Sequence, residues 1–200
     1  MKMNYPEGAS PLSPDELKGL LIPTISNRDE LDRWEQDNIL KAIDWTDKVE
    51  PDEILSESFM KRLHKEMFGD VWGWAGEFRR SNKNIGVDWK DISVELKKLL
   101  DDVRRRLEND SSSVADSLSP DDMGARFHHR LVQIHLFPNG NGRHARLAAD
   151  LLMEKLMGGR RFSWGGKNLS DEGECRSRYI DALRKADTGD YAALIEFVRS

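Results

Sequence analysis

Apolar positions recur at helical spacing along most of the chain, and glycine, proline and capping residues separate the periodic stretches. Leu31, Trp34, Asn38, Ile39 and Ile43 share one helix face, with start signals near Asn27 to Glu30. Phe59, Leu63 and Met67 follow at four-residue steps after Ser56, and Gly69 ends that second helix. Ile92 to Leu107 repeats the pattern, and the polar residues Asn109 to Ser113 close it. Ser119, Pro120 and Asp122 supply a capping hydroxyl, a first-turn proline and an acidic first turn ahead of the stripe Met123, Phe127, Leu131 and Ile134. Leu147, Leu151 and Leu152 mark the buried side of the next helix, which Gly158 and Gly159 terminate. Two more helices are predicted at about residues 170–186 and 191–198.

Two stretches depart from this period. Between residues 73 and 89, glycines, the turn residues Asn82 to Asn84 and the short run Ile85 to Val87 predict an irregular β-hairpin. Residues 1–24 are rich in Pro, Gly and Ser and read as an arm without a core of its own. The expected architecture is an all-α, mainly helical domain over residues 25–200, with a small β-hairpin flap and an N-terminal arm.

Composition narrows the function classes. A chain of 200 residues is long enough for one cored domain. Charged residues make up 34% and the net charge is -5, so general nucleic-acid or membrane-surface binding has little electrostatic support. The basic run Arg104 to Arg106 reads as a solvated helix face. Cys175 stands alone, which excludes an internal disulfide framework and a cysteine-rich metal site and suits a reducing cytoplasm. No apolar run is long enough to span a bilayer, and MKMNYPEGASPL lacks the blocks of a signal peptide, so a cytoplasmic location is expected.

The chemistry concentrates in HLFPNGNGRHAR, His135 to Arg146. A helix starting near Gly142 would offer unpaired N–H groups and the positive end of its dipole to an anion. Gly140 and Gly142 leave room for a phosphate to approach the backbone, Asn141 can donate an amide hydrogen bond, and Arg143 adds a planar fork of donors. Arg146, three residues on, shares a helix face with Arg143. His135 stands where a general base at neutral pH is needed. Singly, each of these residues fits a plain turn or a packed side chain. Together, an imidazole, two glycines and two arginines in this order exceed what a helix connection requires. Of the other histidines, His128 and His129 read as packing or surface residues, His144 as a helix-surface residue, and His64 has no evident partner.

These residues resemble the signature of Fic (Fic/Doc, Fido) proteins, which reads His, any residue, Phe, any residue, an acidic residue, Gly-Asn-Gly-Arg, two residues and Arg. WGWAGEFRRSNKNIGV at Trp72 to Val87 is similar to the family's Trp-Ala-Gly turn and flap. The resemblance runs from about Glu30 to the C-terminus, and the subgroup it comes closest to is labelled mobile mystery protein B. It implies a protein adenylyltransferase that moves AMP from ATP to a Ser, Thr or Tyr hydroxyl of a target protein. His135 would be the base, Gly140, Asn141, Gly142 and Arg143 the phosphate cradle, and Arg146 the contact to the γ-phosphate. Asn84, Ile85, Gly86 and Val87 in the flap would pair with an extended target segment by strand addition.

One departure stands at position 139, where Asn replaces the acidic residue that holds Mg²⁺ in the family; an amide oxygen is a neutral, weaker ligand. The resemblance also implies an inhibitory helix, here about residues 27–46, whose Glu ties up the second arginine. Glu35 in WEQDNI is the candidate and Glu30 the substitute, and a solvated acidic helix face accounts for them equally well. Three other functions stay open: a Doc-like phosphotransferase, a nucleotide-binding regulatory module paired with an antitoxin-like partner, and a purely structural helical domain. The oligomeric state is left open as well.

Overall fold

The computed structural model describes residues 8, 10–109, 118–166, 169 and 173–200. The described residues form eight α-helices: α1 (Pro14–Leu17), α2 (Arg28–Thr46), α3 (Glu57–Phe68), α4 (Ile92–Asn109), α5 (Pro120–Ile134), α6 (Asn141–Leu151), α7 (Glu174–Asp187) and α8 (Ala192–Val198). The capping residues read from the sequence do their expected work. Asn27, Ser56 and Ser119 each accept from the third backbone N–H of the helix they open, contacts worth about 1 kcal/mol apiece. A single π-helical turn, Leu152–Leu156, prolongs α6 before Gly158 turns out at φ 63°.

Helix α5 packs against α6, α4 and α8; α6 in turn packs against α3, which carries α2, and α8 carries α7. The α5 stripe Met123, Phe127, Leu131 and Ile134 is buried as its spacing predicts. No described helix is long and apolar enough to cross a membrane. The closing loop read at Asn109 to Ser113 falls mostly outside the described residues, as does the start of the helix expected near residue 170.

Two expectations need correction. The buried face of α2 is Leu31, Glu35, Asn38, Ile39, Ala42 and Thr46, whereas Trp34 is 48% exposed. Spacing alone lets either residue 34 or 35 face inward; the polar partners that await Glu35 and Asn38 decide it. Asn38 accepts from Asp70 N–H at 2.9 Å and donates to Glu66 O at 2.7 Å, so it caps the end of α3.

The second correction concerns the hairpin. Residues 73–88 form turns with no strand among the described residues, and the one bridge nearby joins Leu20 to Trp72. The segment is held by a side chain instead of a ladder: Arg79 donates to Ser81 O at 2.8 Å and to Val87 O, which closes the loop through its guanidinium.

The described residues of the arm are anchored to the domain. Gly73 N–H donates to Gly19 O at 2.8 Å, Leu21 N–H to Val71 O at 2.9 Å, and Trp74 Nε1 to Glu16 O at 2.9 Å. Ser13 and Glu16 form a reciprocal capping box around α1, and Leu12 is buried.

Candidate active site

The site is the connection between α5 and α6. His135 ends α5 in the left-handed conformation (φ 58°, ψ 66°), uncommon for a residue with a Cβ. Arg79 stabilises that turn. Its Nε donates to His135 O at 2.6 Å and its Nη2 to Ile134 O at 3.3 Å, so a buried cation meets the carbonyl end of α5. Leu136 and Phe137 then drop into the core.

Asn141 braces the loop: its Oδ1 accepts from Phe137 N–H at 2.9 Å and its Nδ2 donates to Phe137 O at 2.7 Å. Both polar ends of that side chain are therefore engaged inside the loop, so the donor facing an anion here is the backbone rather than the expected Asn141 amide.

His64 clamps the same loop from α3. Its Nδ1 accepts from Gly76 N–H at 3.0 Å, which leaves Nε2 to donate to Asn139 O at 3.1 Å, and its ring stacks on Phe137 with centroids 3.7 Å apart. Burial pushes its proton affinity well below the ordinary histidine range. The neutral tautomer thus ties the Trp-Ala-Gly turn to the motif loop.

His135, the candidate base, is buried at 5% exposure. Burial first, then the positive charges of Arg79 and Lys83, lower the His135 pKa to about 4, so the imidazole is neutral at physiological pH. Nδ1 turns toward the carbonyl of Val132 but falls short of a well-formed hydrogen bond. Nε2 faces the cavity, where Ser10 Oγ lies 2.9 Å away. Such an imidazole can accept a proton from a hydroxyl presented at that point.

Beside it, α6 opens at Gly140 (φ 77°) with no side-chain cap. A Cβ on Gly140 would lie 2.7 Å from the Phe68 ring, so packing alone requires glycine there. At Gly142 a Cβ would meet nothing nearer than Arg146 Nη1 at 3.7 Å, so internal packing gives no reason for glycine. The space it leaves belongs to a cavity lined by Ser10, His135, Asn139, the Gly140–Gly142 backbone and four arginines, Arg28, Arg143, Arg146 and Arg176. Among the described residues no carboxylate lines it. An uncapped helix N-terminus, a glycine open to the cavity and this charge balance suit a phosphate.

They do not suit a metal held by the protein. The Asn139 Oδ1 accepts from Gly140 N–H at 2.7 Å, its Nδ2 donates to Ser10 O at 3.2 Å, and no group of three potential metal-binding side chains occurs among the described residues.

One acidic side chain reaches the cradle from behind. Glu35, 2% exposed, accepts from Arg143 Nη1 at 2.7 Å on one oxygen and from Trp72 Nε1 at 2.6 Å on the other. The resemblance implies that the inhibitory glutamate ties up the second arginine; here Glu35 holds Arg143, the first. Arg146 instead lies against Tyr179, its guanidinium carbon 5.7 Å from the ring centroid. Glu30 accepts from Ser26 N–H at 2.8 Å at the start of α2.

Of the flap residues, Ile85 lines the cavity and is 39% exposed, and a Cβ on Gly86 would lie 2.8 Å from His135 Cβ. The Val87 carbonyl is already taken by Arg79.

Several expectations about single residues change. His144, expected on a helix surface, is buried and donates to Met60 O at 3.0 Å. His64, without an evident partner in the sequence, bridges two loops. Sequence reasoning also passed over Arg79 and Ser10. Neither carries a local signal: one is an arginine in a basic pair, the other a serine in a Pro-rich arm.

The sequence profile of the Fic/DOC family matches residues 54–153, which is half of the chain. A protein adenylyltransferase Fic of Drosophila persimilis is 31% identical over 137 residues, covering 68% of this chain and 25% of that protein. Its counterpart in Drosophila melanogaster is 30% identical over 137 residues, with 68% and 26% covered. The chain thus spans about a quarter of the length of these relatives. Among solved structures, Fic-1 from C. elegans aligns at a TM-score of 0.65 with 24% identity, covering 91% of this chain and 51% of that one. BepC of Bartonella tribocorum, with bound AMPPNP, aligns at 0.66 with 16% identity, covering 94% and 97%. At these identities the structures establish a shared fold.

Proposed function

The chain belongs to the Fic/DOC family, and from that premise we propose that it is a protein adenylyltransferase, transferring AMP from ATP to a hydroxyl side chain of a protein. The observation that carries this reading is the pairing of a neutral, buried imidazole with a hydroxyl at 2.9 Å, at an arginine-lined cavity. The curated relatives named protein adenylyltransferase and the BepC structure with AMPPNP support the same reaction and nucleotide.

In this reading His135 Nε2 takes the proton as the hydroxyl oxygen attacks the α-phosphorus in line. The bond from the α-phosphorus to the bridging oxygen breaks, and pyrophosphate leaves with the electron pair. The N–H groups that open α6 and the Arg143 guanidinium stabilise the charge that develops on the phosphoryl oxygens. Arg146 meets the terminal phosphate. Magnesium would arrive on the phosphates of the nucleotide, with the Asn139 carboxamide as a neutral ligand at most. The flap, Asn84 to Val87, is the surface along which an extended target segment would lie.

The Glu35–Arg143 pair makes the described state a restrained one. Free space in the cavity is about 130 Å³, below the roughly 300–1,000 Å³ of small-molecule sites. Arg143 must leave Glu35 before it can clamp a phosphate. Incubation with ATP labelled in its α-phosphate and a cell lysate tests the reaction. The expected result is transfer by wild type, and more by Glu35→Gly; labelling no greater than that of His135→Ala in both would sink the proposal.

A further inference from the structure

We propose that Ser10 is itself an acceptor, modified in cis: the N-terminal arm delivers its hydroxyl to His135 of the same molecule. This rests on the adenylyl-transfer reading above. Ser10 is only 6% exposed, and its Oγ sits 2.9 Å from the nitrogen that would serve as base. That is where the hydroxyl of any acceptor must stand, because base and nucleophile have to share one hydrogen bond.

The chain around Ser10 is held as a bound peptide would be. Asn139 Nδ2 donates to Ser10 O at 3.2 Å, and Lys83, next to the flap, donates to Pro11 O at 3.1 Å. Lys83 also pairs with Glu16 in a largely buried contact, and Leu12 is packed into the core. A serine that merely filled space would find its partner among neighbouring backbone groups. Ser10 Oγ pairs with the imidazole across 125 residues of sequence.

The site also has room for the other half of the reaction on the far side of that hydroxyl. The cavity continues from Ser10 and His135 to the Gly142 backbone and Arg146. Once Arg143 is released from Glu35, a nucleotide α-phosphate seated at the start of α6 would lie across from Ser10 Oγ. The Ser10 proton passes to His135 Nε2, the Oγ–phosphorus bond forms, and pyrophosphate leaves. The product is an adenylyl phosphodiester on Ser10. Tethering makes the step unimolecular, and each chain accepts one group at this position.

The test incubates the full chain, wild type and Glu35→Gly, with Mg²⁺ and ATP labelled in its α-phosphate, and maps the label by peptide mass spectrometry. The expected result is adenylylation at Ser10 with a rate constant independent of protein concentration. It should fall by at least about 100-fold in His135→Ala, disappear from position 10 in Ser10→Ala and persist in Ser10→Thr. Label on lysate proteins or on other residues of this chain with Ser10 unmodified overturns the proposal and leaves the transferase reading standing. Faster labelling of other proteins by Ser10→Ala, with Ser10 unmodified in wild type, makes the arm a plug and overturns it too. Transfer to Ser10 of a His135→Ala chain from an active chain, at the same efficiency as self-labelling, removes the cis step. No transfer from ATP to any protein overturns both readings.

Discussion

The framework around the α5–α6 connection and the N-terminal stretch through α2 meet at the site, yet they bury polar groups on opposite terms. Around the connection, buried polar side chains serve the backbone: Asn141 closes on Phe137, His64 of α3 joins Gly76 to Asn139, and Arg79 holds the end of α5. In the N-terminal stretch, Glu35 and Ser10 are as deeply buried, but their partners are Arg143 and His135, the groups that the proposed chemistry needs. The loop builds the site, and the N-terminal elements occupy it. A buried ion pair contributes little net stability against an apolar alternative, while removing one partner costs about 3–5 kcal/mol, so such a contact fits a device to be exchanged better than one that holds the fold.

The contrast can be broken most sharply at the base. His135→Ala should cost about 10²- to 10⁴-fold in transfer rate, measured as initial rates with ATP labelled in the α-phosphate. Melting that collapses together with the rate would instead make His135 part of the framework.

At the occupant side, Glu35→Gly should raise ATP affinity and self-labelling by about 5- to 150-fold, the usual range for coupling between two states. Isothermal calorimetry and labelling check it, and no change in either would remove the restraint. Glu35→Gln, which keeps an acceptor for Trp72 Nε1 but drops the charge facing Arg143, should give a smaller rise in the same direction.

The two glycines separate framework from ligand space. Gly140→Ala should lose about 1–3 kcal/mol, because it forces a Cβ into positive φ and against the Phe68 ring. Gly142→Ala should stay within about 0.5 kcal/mol in denaturant unfolding yet weaken nucleotide binding, since the methyl enters the cavity. Equal losses of stability would contradict the division.

Acid should reveal the histidines. Burial lowers the pKa of His128 to about 3 and of His135 and His144 to about 4, and His64 is pushed down as well. Between those values and the unfolded value of 6.5 the unfolded chain binds more protons. Stability is therefore full above about pH 6.5 and is lost as pH falls toward 4, with a slope of about 1.4 kcal/mol per pH unit for each histidine. Asp150, raised to about 6 chiefly by burial, binds its proton more tightly when folded and offsets one of these slopes between about pH 6 and 4. Denaturant midpoints across this range check the sign. The same neutral imidazole implies a transfer rate that stays flat through neutral pH and falls only near pH 4.

The seven helices after residue 25, most of their boundaries and the motif were legible in the sequence because they depend on local order, whereas the short α1 in the arm was not. Periodic apolar residues select a helix, Ser119 with Pro120 starts one, and a glycine at position 140 permits the φ of 77° that turns the chain into α6. The inward direction of Glu35 was half legible. Its place in an acidic helix was visible, but spacing treated Trp34 as the buried neighbour, and the arginine that receives Glu35 lies 108 residues away. The hairpin was misread for a similar reason. Glycines and a short apolar run suit a ladder, and nothing near them announces that Arg79 will satisfy the carbonyls of both limbs.

The sequence by itself determined the helical frame, the presence of an imidazole beside a glycine-rich turn that opens a helix, and the family. The tertiary structure alone decided what each buried polar group faces: Arg143 toward Glu35 instead of open solvent, Asn141 toward its own loop, Ser10 toward the base. Those choices rest on hydrogen bonds between residues far apart in the chain. A pattern of neighbours records which positions are buried, but the partner that makes burying a charge or a hydroxyl tolerable is supplied only when the chain folds back on itself.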